Sequence, residues 1–114
     1  MGGRIVDNNE MLRKMRAGRF VENNGRVLRT INILRHKYEE LKDVKYALDT
    51  EMSETEYLDC INYLTESGYI SLRDIATKAP ANIADADYTR LEAKVTALGI
   101  RLLGGAINDE MVKA

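Results

Sequence analysis

Residues 52–72 read MSETEYLDCINYLTESGYISL. Ser53 and Glu56 form an S-x-x-E capping box: the Ser hydroxyl accepts from one free backbone N–H, and the Glu carboxylate reaches back to another. At 100° per residue, Tyr57, Leu58, Cys60, Ile61 and Leu64 share one side of the helix that follows, and Thr55, Asp59, Asn62 and Glu66 the other. Gly68 is a natural stop, because the position after a helix end commonly takes a left-handed backbone. Residues 69–75 then alternate like a strand, with Ile70 and Leu72 on one face. The exposed side of this helix is acidic, and the whole stretch holds no Lys or Arg.

Residues 76–89 contain Pro80, the one proline, among Ala, Asn and Asp, and read as a loop. Residues 91–96 alternate again, burying Leu91, Ala93 and Val95. Thr96 then caps a short helix over 97–103, stopped by Gly104-Gly105, and the tail INDEMVKA reads as irregular. Upstream, Val27, Ile31, Leu34 and Tyr38 fall at i, i+4, i+7 and i+11, so a helix is expected from Arg26, with Leu28 on its flank and Ile33 pointing away. Leu41, Val44 and Leu48 mark a shorter helix that Asp43 would cap. Residues 1–10 look frayed, and MLRKMRAGRFV reads as a short amphipathic helix ending at Gly18, or as an arm that orders on contact. Glu22-Asn23-Asn24-Gly25 punctuates the chain, which sets a basic N-terminal arm at 1–21 and a folded domain at 22–114. The expected core is Val27, Leu28, Ile31, Leu34, Leu58, Ile61, Leu64, Ile70, Leu72, Val95, Ile100 and Leu103.

Three helices, a hairpin and a closing helix make a mainly α fold with a small β-hairpin. The segment GYISL followed by KVTALGIRLLGG resembles the "L-x-x-x-G-y-I … v-T-x-x-G-x-x-L-L-x-G" ending of winged helix-turn-helix proteins. More narrowly, residues 26–112 resemble the small winged-helix proteins of Mu-like prophages. The resemblance implies three helices, a two- to three-stranded wing and a C-terminal helix, and a phage setting. Winged-helix relatives generally place the third helix in the major groove of DNA.

The 114 residues suit one domain, and the net charge of −1 conceals a split: residues 1–48 carry +5 and residues 49–114 carry −6. Apolar runs of a few residues exclude a membrane helix, and MGGRIVDNNE lacks the apolar run of a secretory leader. Gly2-Gly3 resembles a myristoylation start, but Val6 stands where Ser or Thr is needed. A single cysteine suits a reducing cytoplasm, the expected location.

An enzyme is not expected. His36 is the only histidine and Cys60 the only cysteine, so the chain cannot assemble a Cys/His nucleophile pair or a multi-ligand zinc site. Cys60 reads as a core thiol and His36, beside Arg35 and Lys37, as part of a solvated basic face. Asp85 and Asp87 lack the spacing of a calcium loop, and Gly104-Gly105 closes a helix rather than cradling phosphate. No cofactor, metal or small-molecule substrate is expected.

Two readings stay open. In the first the protein binds double-stranded DNA and regulates transcription. Phosphates would then be held by Arg13, Lys14, Arg16, Arg19, Arg26 and Arg29, with Lys78 and Arg90 on the wing and Thr55 and Asn62 as base readers. In the second it is a protein-interaction module, its acidic third helix meeting a basic surface or imitating DNA. Asp59, Glu66, Ile33 and Phe20 would then face the partner. A homodimer is expected, because Leu12, Met15, Phe20 and Ile33 offer more apolar surface than a short arm can bury, and the two halves carry opposite charge.

Overall fold

The computed structural model describes residues 8–114. The Gly2-Gly3 start and most of the segment expected to fray lie outside them. Helix α1 spans Asn8–Asn32, followed by strand β1 (Glu39–Glu40), α2 (Leu41–Ala47), α3 (Glu54–Glu66), β2 (Ile70–Asp74), β3 (Leu91–Val95) and α4 (Ala97–Leu103). A small three-stranded antiparallel sheet, in the order β1-β3-β2, joins this helix-rich body.

The first helix corrects the expected break. It passes through Gly18, through the 21/22 boundary and through Glu22–Gly25 without interruption. Local propensity is overridden by distant contacts. Asn24 Nδ2 donates to the Met111 carbonyl at 2.9 Å, and Asn23 donates to Glu56 and accepts from Arg26. At Gly25 a Cβ would lie 2.0 Å from the Lys113 carbonyl oxygen, so only glycine lets the tail approach this closely. A helix-interior glycine costs about 1 kcal/mol relative to alanine, and here that cost secures a contact.

The helix also stops earlier than its apolar stripe. After Asn32 the chain turns, which leaves Leu34 exposed rather than in the core. Tyr38 is half-buried, with the Arg73 guanidinium 3.5 Å above its ring centre. Glu39 and Glu40 then pair with Ala93 and Glu92, a strand too short to show alternation in the sequence. Helix α2 begins at Leu41 rather than Asp43; the Glu40 side chain before it makes no capping hydrogen bond, and Asp43 sits inside the first turn.

Helix α3 has the expected capping box: Ser53 Oγ accepts from the Glu56 N–H at 3.2 Å, and Glu56 Oε1 accepts from the Ser53 N–H at 3.1 Å. It ends as expected too, with Gly68 at φ +81° and the N–H groups of Gly68 and Tyr69 returning to the carbonyls of Thr65 and Leu64. The Tyr57 hydroxyl donates to the Leu41 carbonyl at 2.7 Å and ties α3 to α2 inside the core.

Val27, Leu28, Ile31, Leu41, Ile61, Leu64 and Leu91 are fully buried where α1, α2, α3 and the sheet meet. Leu58, Ile100 and Leu103 pack against that core while keeping some exposure. Thr96 caps α4, accepting from the Gly99 N–H, and its hydroxyl donates to the Gly68 carbonyl. Glu92 departs from simple alternation. Although it faces away from Leu91 and Ala93, it is buried beneath Arg73 and Lys78, with Arg73 Nε at 2.5 Å and Lys78 Nζ at 3.2 Å.

The tail forms no regular element but crosses the body as a strap. Val112 is buried, and the Lys113 N–H donates to the Val21 carbonyl. Asp109 accepts from the hydroxyls of Tyr63 and Tyr69, at 2.9 and 2.7 Å, and from the Met111 N–H.

Candidate interaction surface on the first and third helices

Because α1 is a continuous rod of 25 residues, its N-terminal half reaches beyond the body, and the molecule measures 63 × 32 × 23 Å. Residues 11–19 are all exposed, including Met11 at 47%, Leu12 at 48% and Met15 at 59%. Arg13, Lys14 and Arg16 stand on the same turns. Phe20 is where the helix meets the body: its ring packs edge-on against Tyr63 with centres 5.6 Å apart.

Along the exposed side of α3, Thr55, Asp59, Asn62 and Glu66 face solvent, as their helical spacing predicts. Where α1 crosses the start of α3, a groove of about 320 Å³ opens between them, lined by Arg16, Arg19, Phe20 and Asn23 on one wall and Ser53, Thr55, Glu56 and Asp59 on the other. Among the expected site residues, this brings together Arg16, Arg19, Phe20, Thr55 and Asp59. Asn62 and Glu66 lie further along α3, Lys78 and Arg90 belong to the loop between β2 and β3, and Ile33, 76% exposed, borders separate hollows beside α2.

The cations are not equivalent. Arg19 Nη2 lies 2.8 Å from Glu56 Oε2. Arg26 lies between Glu22 and Glu51, at 3.7 and 3.9 Å, and also donates to Asn23. Arg29 donates to the Lys113 carbonyl at 2.6 Å, Lys14 pairs with Glu10 at 3.6 Å, and Lys78 sits on Glu92. Arg90 has the carboxylates of Asp74 and Asp87 near it. Arg13 and Arg16 make no side-chain ion pair with the described residues.

Glu56, Glu92 and Asp109 are held below their ordinary values. The Ser53 N–H keeps Glu56 below its ordinary value against the opposing effect of burial, helped by the Ser53 hydroxyl and Arg19. Burial alone would raise Glu92 and Asp109. Arg73 and Lys78 outweigh it at Glu92, and Tyr69, the Met111 N–H and Tyr63 outweigh it at Asp109. Cys60 is buried and its thiol is pushed up to about 12, mainly by desolvation, leaving it un-ionised near neutrality. His36 is exposed.

The groove and the strap are what residue patterns alone missed. Asn23, Asn24 and Gly25 carry a signal, a turn-like cluster inside a helical region, which points to a break where the structure has a docking seat. Among the described residues no cluster of His, Cys, Asp and Glu could hold a metal ion, and no helix is long and apolar enough to cross a membrane. Comparison with family models, with curated proteins and with solved structures found no match to the chain.

Proposed function

We propose that this chain is a winged-helix protein that works as a protein-interaction module, docking through the free half of α1 and the acidic side of α3. The element order α1-β1-α2-α3-β2-β3 and the sheet order β1-β3-β2 support the winged-helix reading. So do the GYISL and KVTALGIRLLGG segments, which resemble the small winged-helix proteins of Mu-like prophages.

The observation that carries the functional reading is the state of the cations. Duplex binding draws its affinity from Lys and Arg that neutralise phosphates. Here Arg19, Arg26, Arg29 and Lys78 already serve carboxylates or carbonyls of their own chain. The side of α3 that would enter a groove offers Asp59 and Glu66 instead. Each phosphate contact would have to displace an internal partner, with two carboxylates repelling the backbone nearby.

DNA binding is the second reading, and Arg13 and Arg16 favour it, because they are exposed and make no ion pair among the described residues. Titrating the full chain into labelled random duplex across a salt series separates the two. The interaction reading expects no binding at micromolar protein and near-physiological salt. Micromolar or tighter binding, lost together with most of its salt dependence when residues 1–21 are deleted, would overturn it; each lost phosphate contact removes about 0.9 from the logarithmic salt slope.

A further inference from the structure

A helix segment with no packing partner is marginal in water, because nucleation is costly and isolated helices shorter than about 12–15 residues hold little structure. Residues 11–19 of α1 come close to this: all nine are exposed, and a Cβ added at Gly18 would touch nothing within 4 Å. Met11, Leu12 and Met15 nonetheless cluster there, each about half exposed.

We infer that a second copy of this chain covers them, its α1 lying antiparallel across the groove between α1 and α3 so that each copy's Leu12 and Met15 reach the other's Phe20. This rests on the protein-interaction reading and names its partner. Three observations point to self-association. First, Leu12, Arg16, Arg19 and Asn23 recur at i, i+4, i+7 and i+11. One stripe therefore runs from the exposed half directly into the groove, whose α1 wall holds Arg16, Arg19 and Asn23. Donor and acceptor surfaces adjoin on one face, which is what a two-fold, self-complementary contact needs.

Second, the charges match. The free half presents Arg13, Lys14 and Arg16, while the α3 wall presents Asp59 beside Thr55 and continues to Asn62 and Glu66. A foreign partner would need to carry both patterns at once, whereas a second copy carries them already in the required order. Third, the groove has an apolar element: Phe20 is only partly covered by Tyr63 and keeps an edge on the groove.

The test is sedimentation equilibrium of the full chain from micromolar to about 100 micromolar protein, alongside hydrogen exchange of residues 8–19. A dimer is expected, with protection of 8–19 rising with concentration. Leu12→Glu with Met15→Glu, both at exposed positions, should weaken it by at least about tenfold, equivalent to roughly 1.4 kcal/mol. Asp59→Arg, which touches neither core nor cap, should weaken it comparably, and combining it with Arg16→Glu should restore it. A monomer at the highest concentration, or a dimer indifferent to all of these changes, would overturn the proposal. A double variant as weak as Asp59→Arg alone would overturn the antiparallel register. Monomer without DNA binding would remove the second copy and leave the interaction reading standing, whereas DNA capture in the salt series would remove that reading first.

Discussion

Arg19 and Glu56 meet at 2.8 Å across the start of α3, and Glu56 is also the residue that closes the capping box with Ser53. The basic segment thus spends its last cation on the helix that a DNA-reading role would have asked it to assist. Arg19→Ala should leave the fold intact, because Arg19 is exposed, Glu56 partly so, and such pairs contribute about 0–1 kcal/mol. Glu56→Ala also removes the carboxylate half of the box, the bond from the Ser53 N–H, and should cost about 0.5–1.5 kcal/mol more. Urea unfolding of the two variants measures the difference; equal costs would mean that this half of the box contributes nothing.

Leu64 is fully buried at the centre of the core. Leu64→Ala should destabilise by about 2–5 kcal/mol through lost burial and the cavity left behind. A cost below about 1 kcal/mol in chemical denaturation would contradict that placement.

Gly25→Ala gives a prediction whose sign depends on the strap. In the full chain the added Cβ meets the Lys113 carbonyl at 2.0 Å, so the tail must shift, at a cost of about 1–3 kcal/mol. In a chain cut after residue 108 the same substitution should stabilise α1 by up to about 1 kcal/mol, since alanine is the better helix former. Thermal unfolding of the four proteins checks the reversal.

Asp109, Glu92 and Glu56 all titrate below their ordinary values in the folded chain. Groups lowered in this way add stability that is complete above the unfolded values, 3.8 for Asp and 4.5 for Glu, and is lost as pH falls through the folded ones. Stability should therefore hold near neutrality and fall on acidification below about pH 4.5. Asp109→Asn should flatten the lower part of that fall while lowering stability at pH 7, because Tyr63 and Tyr69 lose an ionised acceptor. A denaturation series from pH 7 to pH 3 reads both effects; an unchanged acid limb would mean that Asp109 is not among the groups responsible.

Cys60 should resist a thiol-reactive dye in native buffer and react on unfolding, because it is fully buried and its thiol titrates near 12. Labelling complete within minutes under native conditions would contradict this.

The parts of the fold legible in the sequence were those settled by neighbours a few residues apart. Ser53 and Glu56, Thr96 and Gly99, and Gly68 with the two carbonyls before it are local arrangements, and each sits where the residue types required. The two strands of the hairpin followed from alternation. What was not legible depended on distant partners. Asn23, Asn24 and Gly25 look like a turn until residues 111–113 supply their contacts, and Glu92 looks solvent-facing until Arg73 and Lys78 close over it. Leu34 continues the apolar period of Val27 and Ile31, but periodicity does not register that the backbone has already turned at Asn32. The exposure of Thr55, Asp59, Asn62 and Glu66 on α3 follows from their helical spacing. The groove that Thr55 and Asp59 share with Arg16, Arg19 and Phe20 was not visible, because it exists only where α1 crosses α3.

The strap has a consequence for the order in which the protein can mature. Asn24 and its partner Met111 are 87 residues apart in the chain. Synthesis runs from the N-terminus, at about 5–20 residues per second. The middle of α1 therefore leaves the ribosome several seconds before the backbone that seats it exists. Throughout that interval Gly25 faces an empty slot, and α1 has lost one of its clamps. Until residues 109–113 emerge, α1 lacks the contacts of Val21, Asn24 and Gly25 that hold it to its own body.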